Sequence, residues 1–325
     1  MINTKNVTVI MSDIIPSKMR LDKAILQLFS GYSRTCVKKW IVNCQVNVND
    51  VVFNKPNTKV ICGDKITVNN ITSVKNVDNS QNIPLNIVYE DEDILVINKQ
   101  VDLVVHPGPG HEDGTLLNAL LYKDSCFFNV PRSGIVHRLD KNTTGLMVIA
   151  KNIKSYDNLV SSMKSRKIVR QYEAVVHGRV ISGGTICKPI KRHPLKRTSM
   201  TTSVAGKKAI THYRVMKRFY CHTHLVITLE TGRTHQIRVH MLSINHPLIG
   251  DRVYGNKHKF CKNVVFSLRN TVRSFPRQAL HASKLSLEHP IKKVRMEWNS
   301  NLPQDISILL NQLNVSEDKL TRSPS

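Results

Sequence analysis

The sequence predicts an α+β protein in two parts: a small N-terminal domain, then a larger catalytic domain on a mixed, largely antiparallel sheet. Three observations carry this expectation. The chain has 325 residues, a length that suits about two domains. Its apolar fraction of 41% is ordinary for a globular protein with a sizeable core. Its strand-like runs are short and do not alternate regularly with helices, unlike the βαβ units of a parallel sheet.

The N-terminal domain is expected over residues 16–69. Leu21, Ile25, Leu28 and Phe29 recur at helical spacing. Ser33 offers an N-cap for a second helix carrying Val37, Trp40 and Ile41. Two alternating runs, Val46-Asn47-Val48 and Val51-Val52, flank Asn49-Asp50 and read as a hairpin. A turn at Gly63-Asp64 leads into a further strand over residues 61–68. Residues 70–82 are polar with few apolar anchors and read as a linker.

The second domain is expected over residues 83–313. Strands at 87–89 and 94–97 flank the acidic turn Glu90-Asp91-Glu92-Asp93. Further strands are expected at 146–150, 172–176, 212–216 and 224–229, and a helix over 235–245, stopped before Pro247. Residues 314–325 read as a polar, frayed tail.

The net charge is +25 and the sequence pI about 10.0. A chain this basic is suited to a polyanion, above all nucleic acid, although its richness in Lys, Asn and Ile also fits drift in an AT-rich genome. It contains no run of about 18 apolar residues and no signal-peptide pattern, so neither a membrane span nor export is expected. Seven cysteines, none in a Cys-x-x-Cys pair, point to reduced thiols in a cytoplasmic protein, without a zinc site or disulfide framework.

Two segments carry candidate chemistry. In Gly134-Ile135-Val136-His137-Arg138-Leu139-Asp140-Lys141-Asn142-Thr143-Thr144-Gly145, a polar loop holds one carboxylate, Asp140, among His137, Arg138 and Lys141. A carboxylate among cations stays ionised and can act as nucleophile or base. Thr143 and Thr144 are placed to fix the loop through side-chain-to-backbone bonds. In Glu230-Thr231-Gly232-Arg233-Thr234-His235-Gln236-Ile237-Arg238-Val239-His240, Gly232 breaks a strand and Thr231 or Thr234 can cap a helix. Cations in the first turns of that helix oppose its dipole, which suggests an anionic partner.

In the N-terminal domain, Arg20-Leu21-Asp22-Lys23-Ala24, Tyr32-Ser33-Arg34 and Val46-Asn47-Val48-Asn49 resemble an S4-type RNA-binding domain. The resemblance implies an RNA-facing helix pair with Arg34 and Lys38. The turn Asn49-Asp50 stands where that family usually has Asn-Gly.

From residue 83 to 303 the chain resembles the RluA family of pseudouridine synthases. The likeness rests on His137-Arg138-Leu139-Asp140 followed by Thr143-Thr144-Gly145-Leu146, and on Gly232-Arg233-Thr234-His235-Gln236-Ile237-Arg238-Val239-His240. It extends to Arg170-Gln171-Tyr172-Glu173-Ala174, His246-Pro247-Leu248-Ile249-Gly250-Asp251 and Leu280-His281-Ala282. It implies Asp140 as the catalytic aspartate, Tyr172 against the flipped uracil, and Arg238 as the partner of Asp140, with Arg233 the second candidate for that role. Arg138 is expected to fill the space the base vacates, and His137 and Arg233 to join the RNA-contacting set. The resemblance implies no metal and no cofactor. The partner it implies is large-subunit (23S) ribosomal RNA, free or in an assembling subunit, modified at several uridines of the stem-loop that faces the decoding region; a monomer is the default expectation. Two alternatives stay open: a paralogue acting on other uridines of the same RNA, and a non-catalytic assembly factor. One departure is Lys99-Gln100, where the family usually has Lys-Pro; losing the proline is expected to loosen the segment before His106.

Overall fold

A computed structural model of the chain describes residues 4–10, 18–28, 34–72, 80–108, 110–255 and 266–321. The chain divides into two compact units, Met1–Ser80 with Phe128–Pro131, and Gln81–Phe127 with Arg132–Ser325.

The first unit contains β1 (Thr4–Ile10), β2 (Met19–Arg20), α1 (Leu21–Leu28), α2 (Arg34–Val42), β3 (Val46–Val48), β4 (Val51–Val52), β5 (Lys59–Val60) and β6 (Lys65–Thr72). Leu21, Ala24 and Ile25 recur on one face of α1 and are fully buried, packed with Val37 and Ile41 of α2 and Val46, Ile66 and Val68 of the sheet. The sheet order β1-β6-β3-β4 is antiparallel throughout. Asn49 (φ 49°) and Asp50 (φ 65°) both take positive φ, as a type I′ hairpin turn requires. The Asn49 side chain then clamps the turn, accepting from Lys65 N at 2.9 Å and donating to Asp64 at 2.8 Å. This layout is compatible with an S4-like domain. The unit begins earlier than residue 16, because β1 pairs with β6, and β6 runs through residues 70–72 of the expected linker. Strand β1 escaped notice because its pairing partner lies some sixty residues away. Ser33 and Phe29 lie outside the described residues.

The second unit contains β7 (Ile87–Glu90), β8 (Ile94–Lys99), α3 (Leu116–Lys123), β9 (Thr144–Ala150), α4 (Ile153–Lys164), β10 (Val169–His177), β11 (Gly184–Ile186), β12 (Ile190–Arg192), β13 (Met200–Thr202), β14 (Thr211–Arg218), β15 (His222–Leu229), α5 (Gln236–Leu242), α6 (Phe266–Ser274), β16 (Leu280–Glu288), β17 (Arg295–Asn299) and α7 (Gln304–Thr321). A nine-stranded mixed sheet runs β11-β14-β15-β10-β16-β9-β8-β7, with β17 also paired to β16. Only β16 with β9 is parallel, over His281–Thr144 and Ala282–Gly145. Every residue of β9 is buried, which makes its apolar run continuous rather than alternating. The acidic turn joins β7 and β8 as expected.

The polar tail is corrected by the structure. α7 continues through residue 321, since Ile306, Leu309 and Leu313 form an apolar stripe on the core with Ile249 and Phe275, and the polar residues that follow prolong the same helix. The boundary at 313 therefore falls inside a helix. Cys36, Cys44, Cys62, Cys126 and Cys187 are in no disulfide, but Cys221 is disulfide-bonded, against the expectation of reduced thiols throughout. Among the described residues no helix is long and apolar enough to cross a membrane.

Candidate active site

Asp140 sits in the loop that leads into β9, held there by backbone geometry. Thr143 N donates to the Asp140 carbonyl at 3.0 Å and closes a tight turn. The next carbonyls are gripped by buried cations: Lys99 Nζ donates to the Lys141 carbonyl at 2.9 Å, and Arg277 Nη1 to the Asn142 carbonyl at 3.1 Å. Gly145 then enters β9 at φ 118°, where a Cβ would stand 2.4 Å from the Ala282 carbonyl oxygen, so only glycine admits β16 this close to the loop. Thr143 and Thr144 fix the loop differently from expectation. Gln278 Nε2 donates to Thr143 Oγ1 at 3.0 Å, and Thr144 Oγ1 lies 2.9 Å from His281 Nδ1. Both bonds run to side chains brought in by the tertiary fold.

Arg238 reaches this loop from α5. Its Nη1 donates to Asp140 Oδ2 at 3.0 Å, while Nε and Nη2 fork onto Asp251 at 2.6 and 2.9 Å. Burial opposes the Arg238 charge, but Asp251 and Asp140 outweigh it and hold the guanidinium's pKa above its ordinary value. Asp251 is fully buried, and its Oδ1 also accepts from the backbone N–H groups of Val253 and Tyr254. Arg238 is thus shared between a sealed carboxylate and a partly open one, and it lies over the Tyr254 ring at 5.0 Å.

His235 Nε2 stands 4.0 Å from Asp140 Oδ2, and its Nδ1 is 2.8 Å from Tyr254 Oη. Tyr254 Oη also accepts from Met200 N, which leaves its own proton available for His235 Nδ1. Burial lowers the His235 pKa, with Asp140 opposing, so the ring stays neutral near pH 7. The residue caps α5 in a left-handed conformation (φ 54°) without a side-chain cap bond. Neither Thr231 nor Thr234 caps the helix. Instead Thr231 Oγ1 donates to Gln236 Oε1, which also takes Arg233 N, so a glutamine folds back over the strand end.

Tyr172, on β10, is buried and lines the same cavity of about 50 Å³ as Asp140 and Arg238. Burial pushes its phenol pKa up, Arg170 pulls it down, and Asp140 adds to the rise; the net is upward. Arg138 is exposed and lines both this cavity and a neighbouring one of about 700 Å³. Arg233 is exposed on the rim and donates Nε to the Lys208 carbonyl at 3.1 Å, so Arg238 alone of the two expected candidates is the ion-pair partner of Asp140. His137, expected among RNA-contacting residues, is 9% exposed and accepts from Val148 N through Nε2 at 3.1 Å. Burial, reinforced by Arg170, lowers its pKa to about 3. It is a neutral brace of the loop. His240 is likewise buried against Thr211 and the Lys188 carbonyl and offers no charge to a partner. In the first unit α2 begins at Arg34, whose side chain lies outside the described residues, and Lys38 on the same helix is exposed.

Sequence reasoning missed three residues of this site. Asp251 belonged to a quoted motif but carried no visible link to Arg238. Lys99 likewise had only motif membership as a signal, and Tyr254 lies three positions beyond the quoted Asp251 segment. Lys99 is almost wholly buried and gives all three donors to carbonyls, those of Gln100, Leu103 and Lys141. Lys99 thus ties the segment that follows it to the loop of Asp140. For metals, Asp91, Asp93 and His289 bring ligand-type atoms within 4.8 Å of one another. His289 Nε2 and Lys292 Nζ each contact Asp91 Oδ2 at 2.9 Å, so Asp91 already has a hydrogen-bonding and an ion-pairing partner.

The site thus comprises a loop carboxylate in a charge-shared triad, an aromatic wall and a cationic rim, all set on a mixed sheet. Solved structures share the fold: the human RNA pseudouridylate synthase domain containing 4 matches with a TM-score of 0.56 at 24% identity, over 70% of this chain and 93% of the other. The human RNA pseudouridylate synthase domain containing 1 matches with a TM-score of 0.52 at 25% identity, over 72% and 96%. The pattern of the RNA pseudouridylate synthase family matches residues 93–243. The chain belongs to this family. It is 58% identical over 297 residues to ribosomal large subunit pseudouridine synthase D of Buchnera aphidicola subsp. Baizongia pistaciae, covering 91% of this chain and 94% of that one. It is 52% identical to the protein of the same name from Escherichia coli, over 90% and 89%, and 51% identical to that from Salmonella typhimurium, over 90% of each.

Proposed function

We propose that the chain isomerises uridine to pseudouridine at several positions of one stem-loop in large-subunit ribosomal RNA, with Asp140 as the catalytic carboxylate. The observation that carries the reading is the Asp140–Arg238–Asp251 triad beside Tyr172. The substrate assignment rests on relatives above 50% identity that are named for large-subunit ribosomal RNA.

The reaction breaks the C1′–N1 bond, turns the uracil and joins C1′ to C5; the C5 proton leaves and N1 gains one. Asp140 starts this by attack on C1′ or by taking the ribose 2′ proton, and either course needs an ionised carboxylate. Arg238 keeps a guanidinium against it, while Asp251 holds that guanidinium in place. Tyr172, with its raised pKa, is a neutral phenol at neutral pH, suited to stacking on the detached base so that it rotates without escaping. His235 Nε2 stands beside the Asp140 carboxylate. The target base must leave its stack to enter this cavity, and exposed Arg138 at the rim fills the gap it leaves. The first unit, through Arg34 and Lys38 on α2, holds the RNA by its phosphates. The enzyme works in the cytoplasm as a monomer, on ribosomal RNA or the assembling subunit.

The test is Asp140→Asn. Tritium release from C5-labelled uridine in the RNA should vanish while RNA affinity stays within about threefold, since one partly open carboxylate contributes little to phosphate binding. An active variant would refute the assignment. Mapping pseudouridines in ribosomal RNA from a deletion strain tests the substrate: losses confined to small-subunit RNA or to tRNA would overturn it.

A further inference from the structure

Between the catalytic cavity and the larger cavity beside it lies Arg170, to which the reaction above gives no role. It precedes Tyr172 by two positions on β10, so both side chains project from the same face of the strand. Arg170 is 7% exposed and lines both cavities. Its Nε has no partner, and its guanidinium makes no hydrogen bond or ion pair among the described residues. The other buried arginines near the site differ: Arg238 forks onto Asp251, and Arg277 forks onto Asp305 at 2.7 and 2.9 Å. An unpaired buried guanidinium weakens a fold, so its presence in a substrate cavity points to a ligand that completes it.

Two neighbouring features suit the same ligand. A Cβ on Gly232 would stand 2.9 Å from Arg170 Nη1, so the glycine leaves the guanidinium its place. His137 Nε2 accepts from Val148 N, which puts the ring proton on Nδ1, and Nδ1 also lacks a partner. The larger cavity is walled by Arg132, Arg138, Lys164, Arg166 and Arg233. Its one lining carboxylate, Glu230, is already engaged by Arg166 and His212. This space has positive charge in excess and no uncommitted carboxylate among its lining residues.

We propose that Arg170 receives an anionic oxygen of the target nucleotide and so anchors the flipped uridine beside Asp140. The inference rests on the pseudouridine synthase reading. Two oxygens have this chemistry: a phosphodiester oxygen next to the target, and a uracil oxygen that gains charge when C1′–N1 breaks and the electron pair stays with the base.

The experiment uses full-length Arg170→Met, Arg170→Lys and Gly232→Ala. It measures thermal unfolding, affinity for a ribosomal RNA stem-loop at several salt concentrations in an Asp140→Asn background, and single-turnover tritium release with Asp140 intact. Arg170→Met should melt at or above the wild-type temperature, because it removes an unpaired buried charge. It should lose about tenfold or more in affinity or in rate, the worth of a charge-assisted hydrogen bond. Arg170→Lys should recover part of that loss, and Gly232→Ala, which displaces the guanidinium, should fall in the same direction. A phosphodiester ligand lowers affinity and reduces the salt slope by about one; a uracil oxygen lowers the rate and leaves affinity unchanged. Arg170→Met with wild-type affinity and rate overturns the proposal. So does a variant that melts well below wild type or fails to fold, since the guanidinium would then be a structural element. If the wild-type protein releases no tritium, the pseudouridine synthase reading fails while the affinity measurements still judge Arg170.

Discussion

Asp251→Asn probes the least visible member of the site. The Asp251 carboxylate is fully buried and takes four donors: Arg238 Nε at 2.6 Å, Arg238 Nη2 at 2.9 Å, Val253 N at 3.0 Å and Tyr254 N at 3.1 Å. Asparagine keeps the shape and loses one acceptor oxygen. Oδ1 has three of the four donors, so the amide nitrogen takes the Oδ2 position and meets Arg238 Nε, donor against donor. The Arg238 charge then stays buried with only the partly open Asp140 facing it. Breaking one side of a buried pair costs about 3–5 kcal/mol. At roughly 2–4 °C per kcal/mol for a domain of this size, the melting temperature should fall by roughly 6–20 °C. Tritium release should fall by at least about tenfold at temperatures where the variant is folded, because Arg238 loses its anchor and Asp140 its fixed partner. Asp140→Asn is the control: it should remove activity while shifting the melting temperature far less, since that carboxylate is partly open. Calorimetry and the tritium assay on both variants decide it. A melting temperature within about 1 °C of wild type for Asp251→Asn would show that the fork does not hold Arg238.

Two pH effects follow from other buried groups. Burial lowers the Lys99 ammonium to about 7, with Asp140 opposing, so between pH 7 and 10.5 the unfolded chain binds the extra proton. The stability of wild type relative to Lys99→Met should therefore rise as pH increases through that window, read by urea unfolding at pH 6.5 and 9; a constant difference would refute it. His137 is depressed to about 3 by burial and Arg170, His106 to about 4 by burial and nearby arginines, and His281 to about 4 mainly by burial. Each has a folded pKa below its unfolded one, so its contribution is intact above about 6.5 and is lost as pH falls toward 4. Melting temperature should drop steadily over that interval, and His137→Gln should flatten the drop; an unchanged slope in the variant would remove His137 from the account.

Much of the fold was legible because its signals are local. The spacing of Leu21 and Ile25, the alternation around Asn49-Asp50, and the apolar runs of β8 and β9 each encode an element within a few residues, and α1, the β3–β4 hairpin, β8 and β9 appear there. Strand β1 and helix α7 were not among the expected elements; one depends on a partner far along the chain, and the other packs its apolar stripe on a core assembled elsewhere. The choice between Arg233 and Arg238 shows the same division. Both sit in one motif with the same charge, and only the turn at left-handed His235 and the start of α5 aim Arg238 at Asp140 and leave Arg233 on the rim.

By itself the sequence determined which side chains are available: one loop carboxylate among cations, a tyrosine two positions after an arginine, and an excess of positive charge. The tertiary structure decided their partners. It assigned Asp251 to Arg238, turned His137 and His240 into neutral braces, seated Lys99 under the catalytic loop and left Arg170 without a counter-charge. The physical reason is that pairing energies depend on distance and burial, and residues 140, 172, 238 and 251 share one cavity wall only after β9, β10 and α5 have packed.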